Sequence, residues 1–173
     1  MEKLNVEIKA RSSKPDTVRQ YLLNAGAEFK GSDHQIDTYF LVANGRLKLR
    51  QGNIENHLIH YIRSDQEGPK SSEVSLYKPN AADDLKRTLS KALGELVVVD
   101  KQREIYFIKN VKFHIDSVAE LGSFMEIEAI SCEEKPTEAD LLQQCEFFMR
   151  ELQVSENDLL SNSYSDMLLA LNL

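Results

Sequence analysis

The sequence has no apolar run long enough to cross a bilayer, and it contains only two cysteines. A membrane-spanning helix is therefore not expected. Cys132 and Cys145 lack the spacing of a metal site, so we expect free thiols in a reducing compartment and a cytoplasmic protein. A strand pattern starts almost at the first residue, and we therefore expect no signal peptide.

Common catalytic and binding motifs are also missing. The four histidines share no zinc-type spacing, and no Ser-His-Asp triad, nucleophilic cysteine arrangement or glycine-rich phosphate loop can be traced. The net charge of −7, without a basic tail, argues against general binding of nucleic acid or an anionic membrane. Any anion site must therefore be a local concentration of lysine and arginine.

The length and composition fit one globular domain over residues 1–173. Apolar residues make up 42% of the chain and charged residues 28%, as in ordinary globular proteins. A chain of 173 residues is long enough to bury a substantial core. No internal repeat or low-complexity segment suggests a further division.

Alternation of apolar and polar residues is the strongest pattern, and residues 5–11 show it first. Val6, Ile8 and Ala10 point to one side of a predicted strand, and the polar and charged residues between them point to the other. Further strands are predicted over residues 35–41, 46–50, 57–63, 73–78, 97–99, 101–108, 112–118 and 124–130. A curled sheet of such strands would enclose a charged lumen behind an apolar outer wall.

The segments between these strands contain three predicted amphipathic helices. The first follows Ser13, a candidate N-cap, and ends before Gly26. The other two cover residues 81–93 and 138–152, and a final turn at 163–169 closes the chain. Residues 27–34 and 64–72 are predicted loops. The pattern as a whole predicts an α+β fold with a largely antiparallel sheet.

Acidic residues form the first candidate site. Glu126 and Glu128 lie on one face of a predicted strand, roughly 7 Å apart, and Asp116 and Glu7 can face them. Crowded carboxylates repel unless a proton or cation bridges them, and their hard oxygens suit Mg²⁺ or Mn²⁺. Taken alone, the two glutamates more often form the solvated face of an amphipathic strand.

Basic residues form the second candidate site, and nearly all of them occupy alternating strand positions: Lys9, Arg11, Arg46, Lys48, Arg50, Arg63, Lys101, Arg103 and Lys112. Several cations facing metal-binding acids predict a site for a polyphosphate with its metal. For any single residue, an exposed cross-strand ion pair is the more common role. The repeated same-face spacing of Lys48/Arg50 and Lys101/Arg103 favours function.

Taken in order along the chain, these motifs resemble the CYTH superfamily, the triphosphate tunnel enzymes that include class IV adenylyl cyclases and thiamine triphosphatases. The family's opening Glu-x-Glu-x-Lys motif is similar to Asn5-x-Glu7-x-Lys9, with a neutral amide in place of the first carboxylate. The other matching segments are Leu47-Lys48-Leu49-Arg50, Arg63, Lys101-Gln102-Arg103, Asp116-x-Val118-x-x-Leu121-Gly122-x-Phe124-x-Glu126-Ile127-Glu128 and Ser163-Tyr164-x-x-Met167-Leu168. The last of these resembles the end of the class IV cyclase branch.

The resemblance implies a closed or nearly closed antiparallel β-barrel of about eight strands, a tunnel with helices packed outside. It implies Mg²⁺ or Mn²⁺ as cofactor, bound by Glu7, Asp116, Glu126 and Glu128. It also implies a set of triphosphate-binding residues: Lys9, Arg11, Lys48, Arg50, Arg63, Lys101 and Arg103. Among these, the residues expected to stabilise charge as a P–O bond breaks are Lys9, Arg63, Lys101 and Arg103.

The resemblance leaves three functions open. An adenylyl cyclase would let the ribose 3′-hydroxyl attack the α-phosphorus of ATP, and residues 116–128 with the Ser163-Tyr164 ending favour this branch. A triphosphatase would let water attack the terminal phosphorus of thiamine triphosphate, inorganic triphosphate or a nucleoside triphosphate. A noncatalytic binder of phosphorylated ligands is the third candidate, because Asn5 replaces a metal-binding carboxylate. Family analogy alone allows a homodimer, and no nucleic-acid or membrane partner is expected.

Overall fold

The computed structural model describes residues 2–63, 66–133 and 135–172, apart from the side chains of Glu2, Lys3 and Arg63. Eight strands form one closed antiparallel barrel with the neighbour order β1-β5-β4-β3-β2-β6-β7-β8, and β8 pairs with β1 to close it. Their bounds are β1 (Glu2–Arg11), β2 (Glu28–Phe40), β3 (Arg46–Gln51), β4 (His57–Arg63), β5 (Lys70–Tyr77), β6 (Glu95–Ile108), β7 (Val111–Val118) and β8 (Gly122–Ile130). The predicted α+β barrel is confirmed.

The helices are α1 (Pro15–Asn24), α2 (Ala82–Leu93), α3 (Glu138–Glu151) and α4 (Tyr164–Leu171), with a short 3₁₀ turn at Glu156–Asp158. The prediction of a mere turn at residues 163–169 is wrong, because Ser163 and Asp166 form a capping box that starts α4. Ser13 was also the wrong cap, since the residue before α1 is Lys14 and makes no side-chain cap bond. No described helix combines the length and apolar character needed to cross a membrane.

Two strands extend into segments predicted as loops. The loop prediction for residues 27–34 is wrong, because β2 begins at Glu28 and pairs with β6 from there. The register shifts between Phe29 and Gly31, where Gly31 has a φ of 130°, and this bulge interrupts the apolar alternation that marks a strand. β5 likewise begins at Lys70, inside the predicted loop 64–72. Residues 64 and 65 of that segment lie outside the described chain.

The apolar faces of the strands pack in two places. Outside the barrel, Ile8 and Ile127 pack with Leu141 and Cys145 of α3, and all four are 0% exposed. Burying an aliphatic side chain of this size contributes roughly 1.5–3 kcal/mol. At the barrel end where β1 finishes, Tyr164 and Leu168 of α4 pack against the lumen side chains. The barrel wall therefore has an apolar exterior under α3, while α4 covers one end.

The two cysteines are free thiols, as predicted. Cys145 is buried, and its Sγ lies 3.1 Å from the carbonyl oxygen of Val6. Cys132 is exposed on the chain after β8.

Candidate functional site

A cavity of about 410 Å³ occupies the barrel lumen, and all eight strands contribute side chains to it. This volume lies in the range of small-molecule sites. Side chains alternate between the two faces of each strand, so every second residue faces the cavity. Glu126 and Glu128 of β8 face the cavity, whereas Ile127 between them faces the outer core.

The barrel brings most of the predicted triphosphate-binding residues together in this cavity: Lys9, Lys48, Arg50, Lys101 and Arg103. Arg11 lies elsewhere. It is exposed, and its guanidinium carbon is 5.3 Å from the ring centre of Phe124. Arg63 ends β4 opposite Ser72, and its side chain lies outside the described part of the structure. Arg46 pairs with Asp166 at the start of α4.

Asp37 of β2 organises three of these cations. Its carboxylate accepts two hydrogen bonds from the Arg50 guanidinium, both at 2.9 Å, and lies 3.0 Å from Lys48 Nζ and 2.8 Å from Lys101 Nζ. Burial alone would raise the pKa of Asp37, but these charges hold it well below 3.8. Burial and the nearby arginines lower the pKa of Lys101 to about 7, against the attraction of Asp37.

Arg103 of β6 anchors a second cluster beside α4. Asp116 accepts from its Nε and Nη2 at 2.7 and 2.6 Å, and the Tyr164 hydroxyl donates to Asp116 at 2.7 Å. Glu126 lies 3.1 Å from Arg103 Nη2 and 3.2 Å from Lys9 Nζ. Although burial opposes ionisation of both acids, the Arg103 charge lowers the pKa of Asp116 and of Glu126. Asp116 is thus buried against Arg103 behind the cavity lining.

His114 of β7 joins this cluster through Glu126. Its Nδ1 lies 2.8 Å from Glu126 Oε2. Burial and the charge of Arg103 lower the pKa of His114 below 6.5, which favours a neutral ring that donates from Nδ1 to the carboxylate. The buried Nε2 has no hydrogen-bond partner among the described residues.

Three oxygen-bearing side chains on neighbouring β1 and β8 are candidate ligands for a divalent cation. Glu7 and Glu128 are paired across the two strands, and both line the cavity. Asn5 Nδ2 donates to Glu128 at 2.5 Å, while its buried Oδ1 has no hydrogen-bond partner in the described chain. Across the described ranges, no three His, Cys, Asp or Glu side chains could hold a metal by themselves. That arrangement suits Mg²⁺, which typically takes one or two carboxylates together with phosphate oxygens and water.

The four predicted metal ligands are therefore placed differently. Glu7 and Glu128 lie side by side at the cavity wall, whereas Glu126 is engaged by Lys9, Arg103 and His114 and Asp116 by Arg103. Metal binding by these four residues stays a prediction.

One part of the cavity is apolar. Its lining there consists of Tyr39, Ile59, Tyr61, Val74 and Leu76, from β2, β4 and β5. Lys48 Nζ lies 5.3 Å from the ring centre of Tyr39, so the apolar wall adjoins the cations. A ligand with both an anionic and an apolar part would match this lining.

Sequence reasoning missed several residues of the site. Asp37 shares a strand face with Gln35 and Tyr39, so alternation could have pointed to it. Glu55 lies in the connection after β3 and reaches Arg50 and Lys112, which no strand period predicts. The sequence shows Tyr164 only as part of a motif, because its contact with Asp116 depends on the docking of α4.

Comparison with protein families matches residues 3–164 to the CYTH domain. Comparison with curated proteins finds no significant match.

Many solved structures, in contrast, share this fold. Protein PH1012 from Pyrococcus horikoshii aligns with a TM-score of 0.78 and 21% identity, over 94% of this chain and 98% of that one. A putative adenylate cyclase from Vibrio parahaemolyticus gives 0.76 and 18%, over 96% and 98%. The putative adenylyl cyclase HpAC1 from Hippeastrum, described as having a dominant triphosphatase activity, gives 0.58 and 12%, over 96% and 94%. At these identities the similarity shows a shared fold.

Proposed function

Because this chain belongs to the CYTH domain family, we propose that it is a divalent-metal-dependent enzyme acting on a triphosphate bound in its barrel lumen. The observation that carries the proposal is the shared cavity, in which cations from β1, β3 and β6 face the carboxylates of β1 and β8. A polyphosphate with its metal needs both kinds of group within a few ångströms.

The cations have separate roles in this proposal. Lys9, Lys48 and Arg50 bind phosphate oxygens, and the arginine can do so in a bidentate manner. Lys101 and Arg103, only 2% and 3% exposed, stabilise the charge that develops as a P–O bond breaks. Arg63 is assigned to the same set from its motif alone.

The acidic side of the lumen holds the cofactor. Glu7, Glu128 and the Asn5 amide oxygen would bind Mg²⁺ or Mn²⁺, with Glu126 close by. The bound ion would neutralise phosphate oxygens and hold the triphosphate of the substrate in place. Asp116 acts as a positioning residue, because its carboxylate fixes the Arg103 guanidinium through two hydrogen bonds.

The apolar wall supports an organic triphosphate as substrate. An inorganic triphosphate has no apolar surface to bury against Ile59, Val74 and Leu76, whereas a base or other ring system does. ATP is the substrate that we propose first. Its 3′-hydroxyl would attack the α-phosphorus and lose its proton, while pyrophosphate leaves and cyclic AMP forms.

The support for the cyclase reaction comes from the end of the lumen that α4 covers. Residues 116–128 and Ser163-Tyr164, which resemble the cyclase branch, meet there through Tyr164 and Asp116. The Vibrio parahaemolyticus protein of the same fold is named a putative adenylate cyclase.

Hydrolysis of a triphosphate is the second candidate function. The Hippeastrum protein carries a cyclase name together with a dominant triphosphatase activity, so one barrel of this fold serves hydrolysis. The same cations would bind the substrate, and water in place of the 3′-hydroxyl would attack the terminal phosphorus.

Product analysis separates the candidates. The protein is incubated with ATP and either Mg²⁺ or Mn²⁺, and the nucleotides and phosphates are resolved by chromatography. Cyclic AMP with pyrophosphate supports cyclisation, and ADP with phosphate supports hydrolysis. Tight ATP binding without turnover under either ion contradicts both and leaves a noncatalytic binder.

A matched pair of variants ties any turnover to the lumen. Lys101→Met is expected to lower the rate by roughly 100-fold or more, the usual effect of removing one preorganised charge-stabilising group. Lys91→Met makes the same change on the exposed side of α2 and should leave the rate unchanged. Equal rates for the two variants would place the reaction outside this cavity.

A further inference from the structure

Glu55 places a negative charge at the end of the lumen opposite α4. It belongs to the connection between β3 and β4, and its side chain is 16% exposed. Its carboxylate lies 3.0 Å from Arg50 Nη1 and also pairs with Lys112 Nζ near the start of β7. Two cations of the cavity wall are therefore already bound to an anion of the protein itself.

The backbone around Glu55 is firmly held. Asp33, which is 0% exposed, accepts the backbone N–H of Ile54 at 2.9 Å and that of Glu55 at 3.0 Å. Gln35 Nε2 donates to Asp33 at 2.8 Å and to Glu55 at 3.1 Å. A Cβ at Gly52 would come within 2.7 Å of the Asp33 carboxylate, so this connection lies closely against β2.

Strand register places these cations in order from the end of the lumen that α4 covers toward Glu55. Lys101 and Arg103 pair with Val118 and Asp116 near the end of β7, whereas Lys112 lies near the start of β7 and Arg50 near the end of β3. A phosphate chain bound along this line would reach Arg50 and then meet Lys112. At that point Glu55 already holds the position that a further phosphate would need.

We propose that Glu55 is a specificity-determining residue that limits how many phosphates the lumen accepts, an inference that rests on the proposed triphosphate function. Its carboxylate neutralises Lys112 and repels the next phosphate group of a longer chain. Because Asp33 and Gln35 hold the connection, Glu55 stays in place when a ligand enters. The lumen thus binds a triphosphate and gains nothing from a fourth phosphate.

Binding of inorganic polyphosphates to the wild-type protein tests the proposal directly. Isothermal titration calorimetry with tripolyphosphate and with tetrapolyphosphate is done in EDTA, which prevents metal-dependent turnover. The two affinities are expected to agree within about threefold, since the fourth phosphate adds no charge-assisted contact. A gain of tenfold or more for tetrapolyphosphate in the wild type would overturn the proposal, whatever any variant does.

Three variants locate the effect. Glu55→Gln is expected to raise the tetrapolyphosphate affinity at least about tenfold relative to tripolyphosphate, because Lys112 becomes available for a charge-assisted contact. The double variant Glu55→Gln/Lys112→Met should lose that gain. Glu120→Gln removes the same charge from the exposed β7–β8 turn and should keep the wild-type ratio. An unchanged ratio in folded Glu55→Gln protein would refute the role of Glu55.

Failure of the wider function gives a different result. If the wild type binds neither polyphosphate in EDTA and also neither binds nor turns over ATP with Mg²⁺ or Mn²⁺, the triphosphate function itself is wrong. If it binds tripolyphosphate and ATP but also gains from the fourth phosphate, only the inference about Glu55 is wrong.

Discussion

Replacing Asp37 with asparagine removes the charge that holds three lumen cations together. Asp37 is 1% exposed and contacts Lys48, Arg50 and Lys101 at 2.8–3.0 Å. In the Asp37→Asn variant these cations would repel one another in a site with little access to water. The substitution keeps the shape of the side chain, so its effect measures the charge.

The expected loss of unfolding free energy is about 3 kcal/mol. Removing one partner of a buried ion pair costs roughly 3–5 kcal/mol, and the asparagine oxygen still accepts one hydrogen bond, which favours the lower value. The control is Asp100→Asn on β6, because Asp100 is 53% exposed and pairs only on the surface with His34. Its loss should be about 0–1 kcal/mol.

Urea unfolding at pH 7 followed by circular dichroism measures both variants. The folded-state pKa of Asp37 lies below 3.8, so its stabilising effect is present above that pH and is lost as pH falls through the folded value. The difference between wild type and Asp37→Asn should therefore shrink in acid. A loss at pH 7 no larger than that of Asp100→Asn would refute the assignment of Asp37 as the organising charge.

Two further substitutions test the buried lysine and the contact with α4. In the folded state Lys101 titrates near pH 7, against an ordinary 10.5, so between these values the unfolded chain holds the extra proton. Unfolding free energy should then rise with pH in the wild type relative to Lys101→Met, by up to roughly 1.4 kcal/mol per pH unit; a constant difference between pH 7.5 and 9.5 would contradict this. Tyr164→Phe removes the hydroxyl that donates to Asp116 at 2.7 Å but keeps the ring against Phe124, so urea unfolding should show a loss of about 1–2 kcal/mol. The exposed Tyr77→Phe serves as control, and equal losses for the two variants would show that the hydroxyl contributes nothing.

Alternation predicted the lumen lining wherever a strand is covered on one side by core and on the other by the cavity. Lys48 with Arg50, and Glu126 with Glu128, were found this way, because residues two apart must share a face. Arg11 follows the same period but lies at the end of β1 and is exposed. Alternation predicts which face of the strand a side chain occupies. It does not predict how far along the barrel axis that residue lies.

The partners of these residues depend on contacts between distant strands. Asp116 was predicted to assist metal binding, and it lies directly opposite Arg103 in the β6–β7 pairing. Nothing within residues 112–118 specifies that register, since it follows from the hairpin between β6 and β7. Glu55 was missed for a related reason. Asp33 fixes the backbone of the connection that carries Glu55, and Asp33 lies in the part of β2 where a bulge interrupts the strand pattern.

The closed barrel also restricts how this protein can change during evolution. Each charged residue faces the lumen only because of its parity along the strand, and every strand has two paired neighbours. An insertion of one residue ahead of Lys101 in β6 would turn that lysine and Arg103 outward and bring apolar side chains into the lumen. Substitutions can therefore change the ligand preference of the lumen one position at a time. Strand lengths, in contrast, can change only in steps of two residues or through a bulge such as the one at Gly31. In each strand of this barrel, whether the number of residues ahead of a charged position is odd or even determines whether that side chain faces the lumen.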